Sequence, residues 1–392
     1  MNMQHVVECV YKSLNHKGEE LCGDKVEVVR TEDSDILILA DGLGSGVKAN
    51  ILSTLTSKII ATMMREGAPL EDTMETITST LPLCSVRHVA YSTFSILQIY
   101  HDGRAHLVEF DNPACFCLRG SKLIRPAYIK RTISGKEIRE SFFDVQMGDY
   151  YVLVSDGVTH AGVGSVLNFG WPWHDIANYL AEEAAKRPSA HRMANLLSTA
   201  CDELYLHQPG DDTTVAVAKV IPANHLHLLA SPPQHKEDDE RMVKEFLDGA
   251  NLTVICGGSS GNMVSRIIGK PLRASLKYLD PSIPPTADLE GIDLVTEGVL
   301  TLSRTLEILR KCVTPTGEVQ NLELLDAGNG AAQIAKLIVE KCTHLTLYIG
   351  QAINPAHQNP DLPFDLSIKC RLLEELAELA RKLGRNVQCY YY

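Results

Sequence analysis

The sequence predicts an α+β chain built from two unlike domains, and three observations lead there. The first half runs strands, a helix pair, more strands and a second helix pair. That order suits two sheets covered by helices and does not suit alternating βαβ units. The second half alternates short apolar strands with helical stretches, which argues for a parallel, doubly wound α/β domain. The length of 392 residues, at roughly 150 per domain, leaves room for two or three such units. Between the halves lies IPANHLHLLASPPQHKEDDE, rich in proline, histidine and charge. It reads as a linker over 222–237, separating a domain at 1–221 from one at 238–392.

In the first domain VVECVYKSL (6–14), KVEVVRT (25–31) and DILILA (35–40) are β-type runs set apart by glycine and charge. A helix is expected over 46–65, and Pro69 belongs in the first turn of another, to about 79. Strands follow at 91–100, 104–110, 114–120 and 150–155, with His101-Asp102-Gly103 as a hairpin turn. Helices over 172–186 and 190–206 and a strand over 213–220 complete this half. In the second domain LTVIC (252–256), IDLVT (292–296), HLTLYIG (344–350) and NVQCYYY (386–392) are strands. Helices follow GGSSGN, run to about Lys311, span 330–341 and occupy LSIKCRLLEELAELARKLG (366–384).

Acidic residues outnumber basic ones 49 to 37, a formal charge of −12. A nucleic-acid partner is disfavoured, because phosphate-backbone binding needs the opposite excess. No apolar run reaches the roughly 18–20 residues of a membrane span. The start, MNMQHVVECVYKS, lacks the basic and apolar regions of a signal peptide. The 11 cysteines are odd in number and irregularly spaced. They read as reduced thiols of a cytoplasmic chain, most of them small apolar core residues.

Four motifs place an aspartate beside glycine next to an apolar strand. They are Gly23-Asp24, Asp41-Gly42-Leu43-Gly44-Ser45-Gly46, Ser155-Asp156-Gly157 and Gly210-Asp211-Asp212-Thr213-Thr214. A carboxylate at a strand end is held rigidly, and the following glycine lets the backbone turn and present its carbonyl. Any one of these is a common turn. Four in one half suit the gathering of oxygen ligands around a hard cation such as Mg²⁺ or Mn²⁺. No Cys or His recurs within them, which argues against zinc.

Over about residues 5–220 the chain resembles the metal-dependent serine/threonine protein phosphatases of the 2C type, in the bacterial branch typified by the stage II sporulation phosphatase. The resemblance rests on GD at 23–24, ADGLGSGVKA at 40–49, SDGV at 155–158 and GDDTTV at 210–215. It implies an α-β-β-α sandwich with a site for two Mn²⁺ or Mg²⁺ ions at one edge of the paired sheets. Asp41 would bridge both ions, the Gly42 carbonyl would ligate the first, and Asp156 and Asp211 the second. Asp24 would lie on the first-ion side. Asp212 stands where many relatives carry Asn, and a third, weaker ion is expected near Asp156 and Asp212. Two divalent ions acidify a shared water, so the expected nucleophile is metal-bound water and no protein nucleophile is needed. The implied substrate is phosphoserine or phosphothreonine on a phosphorylated regulatory protein, and phosphatases of this kind often form homodimers.

Two departures stand out. Thr159-His160 replaces the Thr-Glu of many relatives, which makes His160 a candidate general acid toward the leaving alkoxide, against the plainer role of a surface histidine. Trp171 and Trp173 fall in the variable flap, as a substrate-facing lid or as local packing. The phosphate-binding arginine of many eukaryotic relatives has no counterpart.

In the second domain, LTVICGGSSGNMVSRIIG is a strand, a glycine-rich turn and a helix, a ready anion site if it is more than a tight turn. It matches neither the GxxxxGK[ST] nor the GxGxxG pattern. Ligands of doubly wound domains sit at the carboxyl ends of the strands. The candidate ligand-binding residues are therefore Gly257, Gly258, Ser259, Ser260, Asn262, Glu297 and Asn354, with Asp326 as an outlier. The whole reads as a phosphatase with a C-terminal regulatory domain that takes a small-molecule ligand. The alternative is a catalytically weak phosphatase-fold binding module whose C-terminal domain binds a small anionic ligand or nucleotide.

Overall fold

A computed structural model describes residues 5–80, 92–275, 280, 282–314, 319–352 and 365–392. The chain divides into two compact units after Pro222.

The first unit holds two antiparallel sheets. One is formed by β1 (His5–Leu14), β6 (Phe116–Arg119), β7 (Lys122–Ile124), β10 (Tyr150–Val154) and β11 (Thr213–Pro222), in the order β1-β11-β10-β6-β7. The other is formed by β2 (Asp24–Arg30), β3 (Ser34–Gly42), β4 (Ser92–Tyr100), β5 (Arg104–Phe110), β8 (Tyr128–Ile133) and β9 (Lys136–Asp144), in the order β2-β3-β4-β5-β9-β8. Helices α1 (Gly46–Arg65) and α2 (Leu70–Thr80) cover the second sheet. After a single turn, α3 (Asp156–Thr159), helices α4 (Trp173–Ala185) and α5 (Ala190–Leu204) cover the first.

Strand alternation explains why the central strands read as unbroken apolar runs. On β3, Ile36, Ile38 and Ala40 face the α1–α2 layer, while Leu37 and Leu39 enter the core between the sheets. On β10, Val152 and Val154 pack toward α4 and α5, while Tyr151 and Leu153 meet the opposite sheet. A strand buried on both faces has no polar side to show. Each such side chain removed from water contributes about 2 kcal/mol. The edge hairpin β8–β9 was not legible as strands, because YIKRTI and KEIRESFF interleave charge with apolar residues. Those charges pair across the hairpin, Lys130 with Glu137 and Arg131 with Glu140.

The second unit is built on five parallel strands: β12 (His225–Ala230), β13 (Leu252–Cys256), β16 (Leu294–Thr296), β17 (His344–Ile349) and β18 (Asn386–Tyr391). Their order is β16-β13-β12-β17-β18, and the short antiparallel strands β14 (Arg273–Ala274) and β15 (Ala287–Asp288) extend the β16 edge. Helices α6 (Asp239–Leu247) and α7 (Gly258–Ile268) pack on one face. Helices α8 (Val299–Val313), α9 (Gly330–Lys336) and α10 (Asp365–Lys382) pack on the other. The helix expected over 330–341 gives way to a wider turn at Leu337–Lys341.

The linker expected over 222–237 is corrected here, since it contains β12, the middle strand of the parallel sheet. Leu226, Leu228, Leu229 and Ala230 are fully buried there. Its own histidines disguised it: His227 is buried with Nδ1 2.8 Å from the Phe246 carbonyl, and His225 stacks on His344.

Candidate metal centre

The acidic residues of the first unit converge because strand ends from both sheets meet at one edge. Antiparallel pairing sets Asp24 directly opposite Asp41. In the other sheet β10 pairs β11, Val154 against Val215, which brings the residues just outside that pair, Asp156 and Asp211–Asp212, to the same end. The backbone packs tightly around these turns. A Cβ on Gly42 would stand 2.1 Å from the Ala49 carbonyl oxygen, and one on Gly157 would stand 2.2 Å from that of Asp212. Neither glycine has a positive φ. Both are required for lack of space, which differs from the sharp turn expected of them.

Asp24 is the most telling residue. It is 4% exposed, and neither carboxylate oxygen has a hydrogen-bond partner among the described residues. Burial pushes its carboxyl up to about 8; the nearby Ser155 and Thr214 hydroxyls offset part of that cost, and Asp212 and Asp156 add to it. Burial, then the charges of Asp24, Asp156 and Asp211, pushes the Asp41 carboxyl up to about 10. Asp211 is raised as well, by burial and by Asp156. Carboxylates crowded this way, with Asp24 given no donor by the described residues, need protons or cations.

Asp212 turns inward. One oxygen accepts the His16 N–H at 3.0 Å, while the other is buried without a partner and lies 2.6 Å from where a Gly23 Cβ would be. It therefore stands with Gly23 and Asp24. Asp156 and Asp211 form a more exposed group with His160, whose Nδ1 lies 3.8 and 3.7 Å from their carboxylates. One ligand atom from each of these three lies within 4.8 Å of the others. His160 is held by the α3 turn, its N–H donating to the Asp156 carbonyl at 2.9 Å. His160 lies outside the four motifs but only four residues after Asp156, one helical turn away.

The two flap tryptophans pack locally. Trp173 stacks on Phe116 with centroids 4.7 Å apart and donates its Nε1–H to the Ala114 carbonyl. Trp171 packs against Tyr179. The motifs gave no sign of three supports: Ser155 Oγ accepting the Thr214 N–H at 2.8 Å, the Ser13–Thr214 hydroxyl pair, and Tyr205 donating to the Gly157 carbonyl. Their partners are distant in sequence and carry no spacing signal.

In the second unit Gly257 and Ser260 are buried, and Gly258, Ser259, Asn262 and Glu297 are exposed. Asn354 lies outside the described residues. Asp326 pairs with Lys336.

The edge of hard oxygen donors, with buried Asp24 lacking a donor at either oxygen and Asp212 at one among the described residues, fits divalent cations of the Mg²⁺ or Mn²⁺ kind. The first unit is a phosphatase domain of the 2C type, and hence a hydrolase: residues 31–221 match the family described as stage II sporulation protein E (SpoIIE). Its relatives include the phosphoserine phosphatase RsbX of Bacillus subtilis (strain 168), 26% identical over 183 residues, 45% of this chain and 87% of that protein. Similar solved structures include the phosphatase domain of the B. subtilis cell-fate determinant SpoIIE, with 19% identity, TM-score 0.42, 56% of this chain and 94% of that one. Another is RsbX in complex with magnesium, with 20% identity, TM-score 0.41, 55% of this chain and 96% of that one.

Proposed function

We propose that this protein is a metal-dependent protein phosphatase that hydrolyses phosphoserine or phosphothreonine on a regulatory protein. Its second unit, read as a doubly wound α/β domain, binds a small ligand and modulates the activity. The observation that carries this reading is the buried Asp24 carboxylate set opposite Asp41 without a proton donor, at an edge closed by Asp156 and Asp211.

Asp41, Asp24, Asp156, Asp211 and the Gly42 carbonyl are the residues that would hold the ions. Two Mn²⁺ or Mg²⁺ ions, when bound, supply charge neutralisation for the phosphoryl oxygens and a water acidic enough to ionise near neutral pH. The protein holds these carboxylates fixed, because the close contacts at Gly42 and Gly157 leave the turns no slack. Asp212, fixed by the His16 N–H, stands beside Gly23 and adds negative charge near Asp24. His160 Nδ1, held beside Asp156 and Asp211, donates a proton to the departing serine or threonine oxygen. The reading places the protein in the cytoplasm. Among the described residues no helix is long and apolar enough to cross a membrane.

The test is hydrolysis of p-nitrophenyl phosphate and of a phosphothreonine peptide with Mn²⁺, with Mg²⁺ and with EDTA, for wild type and Asp156→Asn. Metal-dependent turnover that the substitution removes is the expected result. Folded, metal-binding protein with no turnover would instead favour a phosphatase-fold binding module.

A further inference from the structure

The second unit carries a site of opposite electrostatic character at the carboxyl ends of β13 and β16. Each strand leads through a glycine into a helix, β13 through Gly257 into α7 and β16 through Gly298 into α8. The two turns touch: the Gly257 N–H donates to the Thr296 carbonyl at 2.9 Å, and a Cβ on Gly298 would lie 3.8 Å from the Gly257 Cα. Neither helix start has a side-chain cap. Two sets of helix-start N–H groups, each at a positive dipole end, therefore open side by side.

Two side chains aim at the junction. Lys369, from α10 more than a hundred residues along the chain, brings Nζ to 3.2 Å from where a Gly257 Cβ would stand, and to 3.7 Å from the same point on Gly298. Ser260 Oγ lies 3.5 Å from that Gly257 point. Ser260 is 0% exposed, and its hydroxyl has no hydrogen-bond partner among the described residues. Thr301, at the matching position of α8, is likewise fully buried with an unpartnered hydroxyl. A buried hydroxyl without a partner costs about 1–3 kcal/mol, so it points to an acceptor that the described residues do not supply. Gly257 has φ 122°, a conformation open to glycine, and it keeps the space between Nζ and Oγ clear.

Glu297 sets the other boundary. Its carboxylate accepts the Gly298 N–H at 2.9 Å and stands 3.8 Å from where a Gly258 Cβ would be. It repels a second anionic group and offers an acceptor to a hydroxyl.

We propose that this junction binds the phosphoryl group of a small hydroxylated phosphomonoester, held by Lys369 Nζ, Ser260 Oγ and the α7 and α8 N–H groups, with Glu297 receiving a ligand hydroxyl. The proposal rests on reading the second unit as a ligand-binding domain, and it names the ligand class. Sugar phosphates and nucleoside monophosphates share this chemistry.

The experiment is calorimetric titration of the full chain carrying Asp156→Asn, in EDTA, so that the acidic edge neither binds nor hydrolyses the ligand. The probes are sulfate, ribose 5-phosphate, AMP and ribose. The expected result is saturable binding of ribose 5-phosphate or AMP at least about tenfold tighter than sulfate, with none for ribose. Tighter ribose 5-phosphate identifies the sugar phosphate as the better ligand, and tighter AMP the nucleotide. Adding Lys369→Gln should weaken binding by about tenfold or more, with Lys369→Arg retaining most of it. Ser260→Ala should weaken it several-fold, and an unchanged thermal melt excludes misfolding as the cause. Absence of saturable binding, or binding indifferent to both Lys369→Gln and Ser260→Ala, overturns the site. A bound ligand that leaves the turnover of the wild-type phosphatase unchanged would overturn the modulating role and leave the site standing.

Discussion

The acidic edge of the first unit and the glycine-rich edge of the second solve opposite problems with the same device, a strand that ends in a tight turn. In the first, four turns from two antiparallel sheets deliver carboxylates faster than the fold can neutralise them. Asp24 is left buried and without a donor among the described residues, and its carboxyl and that of Asp41 are both raised. In the second, two turns from neighbouring parallel strands deliver N–H groups and hydroxyls short of acceptors. The difference follows from where the polar groups come from. Antiparallel strand ends present the side chains written in the motif. Parallel strand ends present the backbone of the helix that follows. One edge demands a cation and the other an anion.

Asp41→Asn should break the contrast most completely. It removes the carboxylate that couples to Asp24, Asp156 and Asp211. Turnover measured with Mn²⁺ should fall by about a thousandfold or more. Activity near wild type in this variant would dismantle the assignment of the edge.

Glycine substitutions sharpen the comparison. Gly42→Ala forces a methyl group onto the Ala49 carbonyl and should destabilise the first unit by about 3 kcal/mol in a denaturant melt. Gly257→Ala meets mainly the mobile end of Lys369, and its strain comes from φ 122°. The expected loss is smaller, about 1–2 kcal/mol. Equal losses at the two positions would mean that the turns are not built differently.

The pH dependence separates the edges again. In the metal-free chain the folded carboxyls of Asp24 and Asp41 titrate above their unfolded value of about 4. The folded state therefore holds more protons. This stabilising contribution is fully present below about pH 4 and is lost as pH rises through the folded values. The melting temperature in EDTA should fall between pH 5 and 8, and Asp24→Asn should flatten that slope. A slope identical in wild type and variant would show that Asp24 is not protonated in the fold. The smallest expected effect is that of His160→Gln, a loss of about ten- to a hundredfold in turnover of the peptide. The loss should be weaker with p-nitrophenyl phosphate, whose leaving group needs no proton. Equal losses on both substrates would remove the proton-donor role.

How much of this was legible in the sequence follows the same division. The residues of the acidic edge could be named in advance because each carries its own marker, an aspartate beside a glycine after an apolar run. Its inward-turned Asp212 and its His160 were harder, since the orientation of one and the proximity of the other depend on the α3 turn and on the N–H of His16. In the second unit Gly257 and Ser260 were legible from their turn. Lys369 was not, because it sits on an amphipathic helix far along the chain, and only the packing of α10 over the sheet brings it to Gly257. The strand β12 was hidden for a related reason. Its two histidines mimic a polar linker until the Phe246 carbonyl is seen to meet His227 and the His344 ring to meet His225.

The most direct test of the central claim is a calorimetric titration of the full chain with Mn²⁺ at neutral pH, repeated in two buffers of different ionisation enthalpy to count protons released. The raised carboxyls of Asp24 and Asp41 predict that Mn²⁺ uptake expels protons, and that Asp41→Asn abolishes both uptake and release. Uptake of Mn²⁺ with no proton release, or uptake that survives Asp41→Asn, would contradict the account.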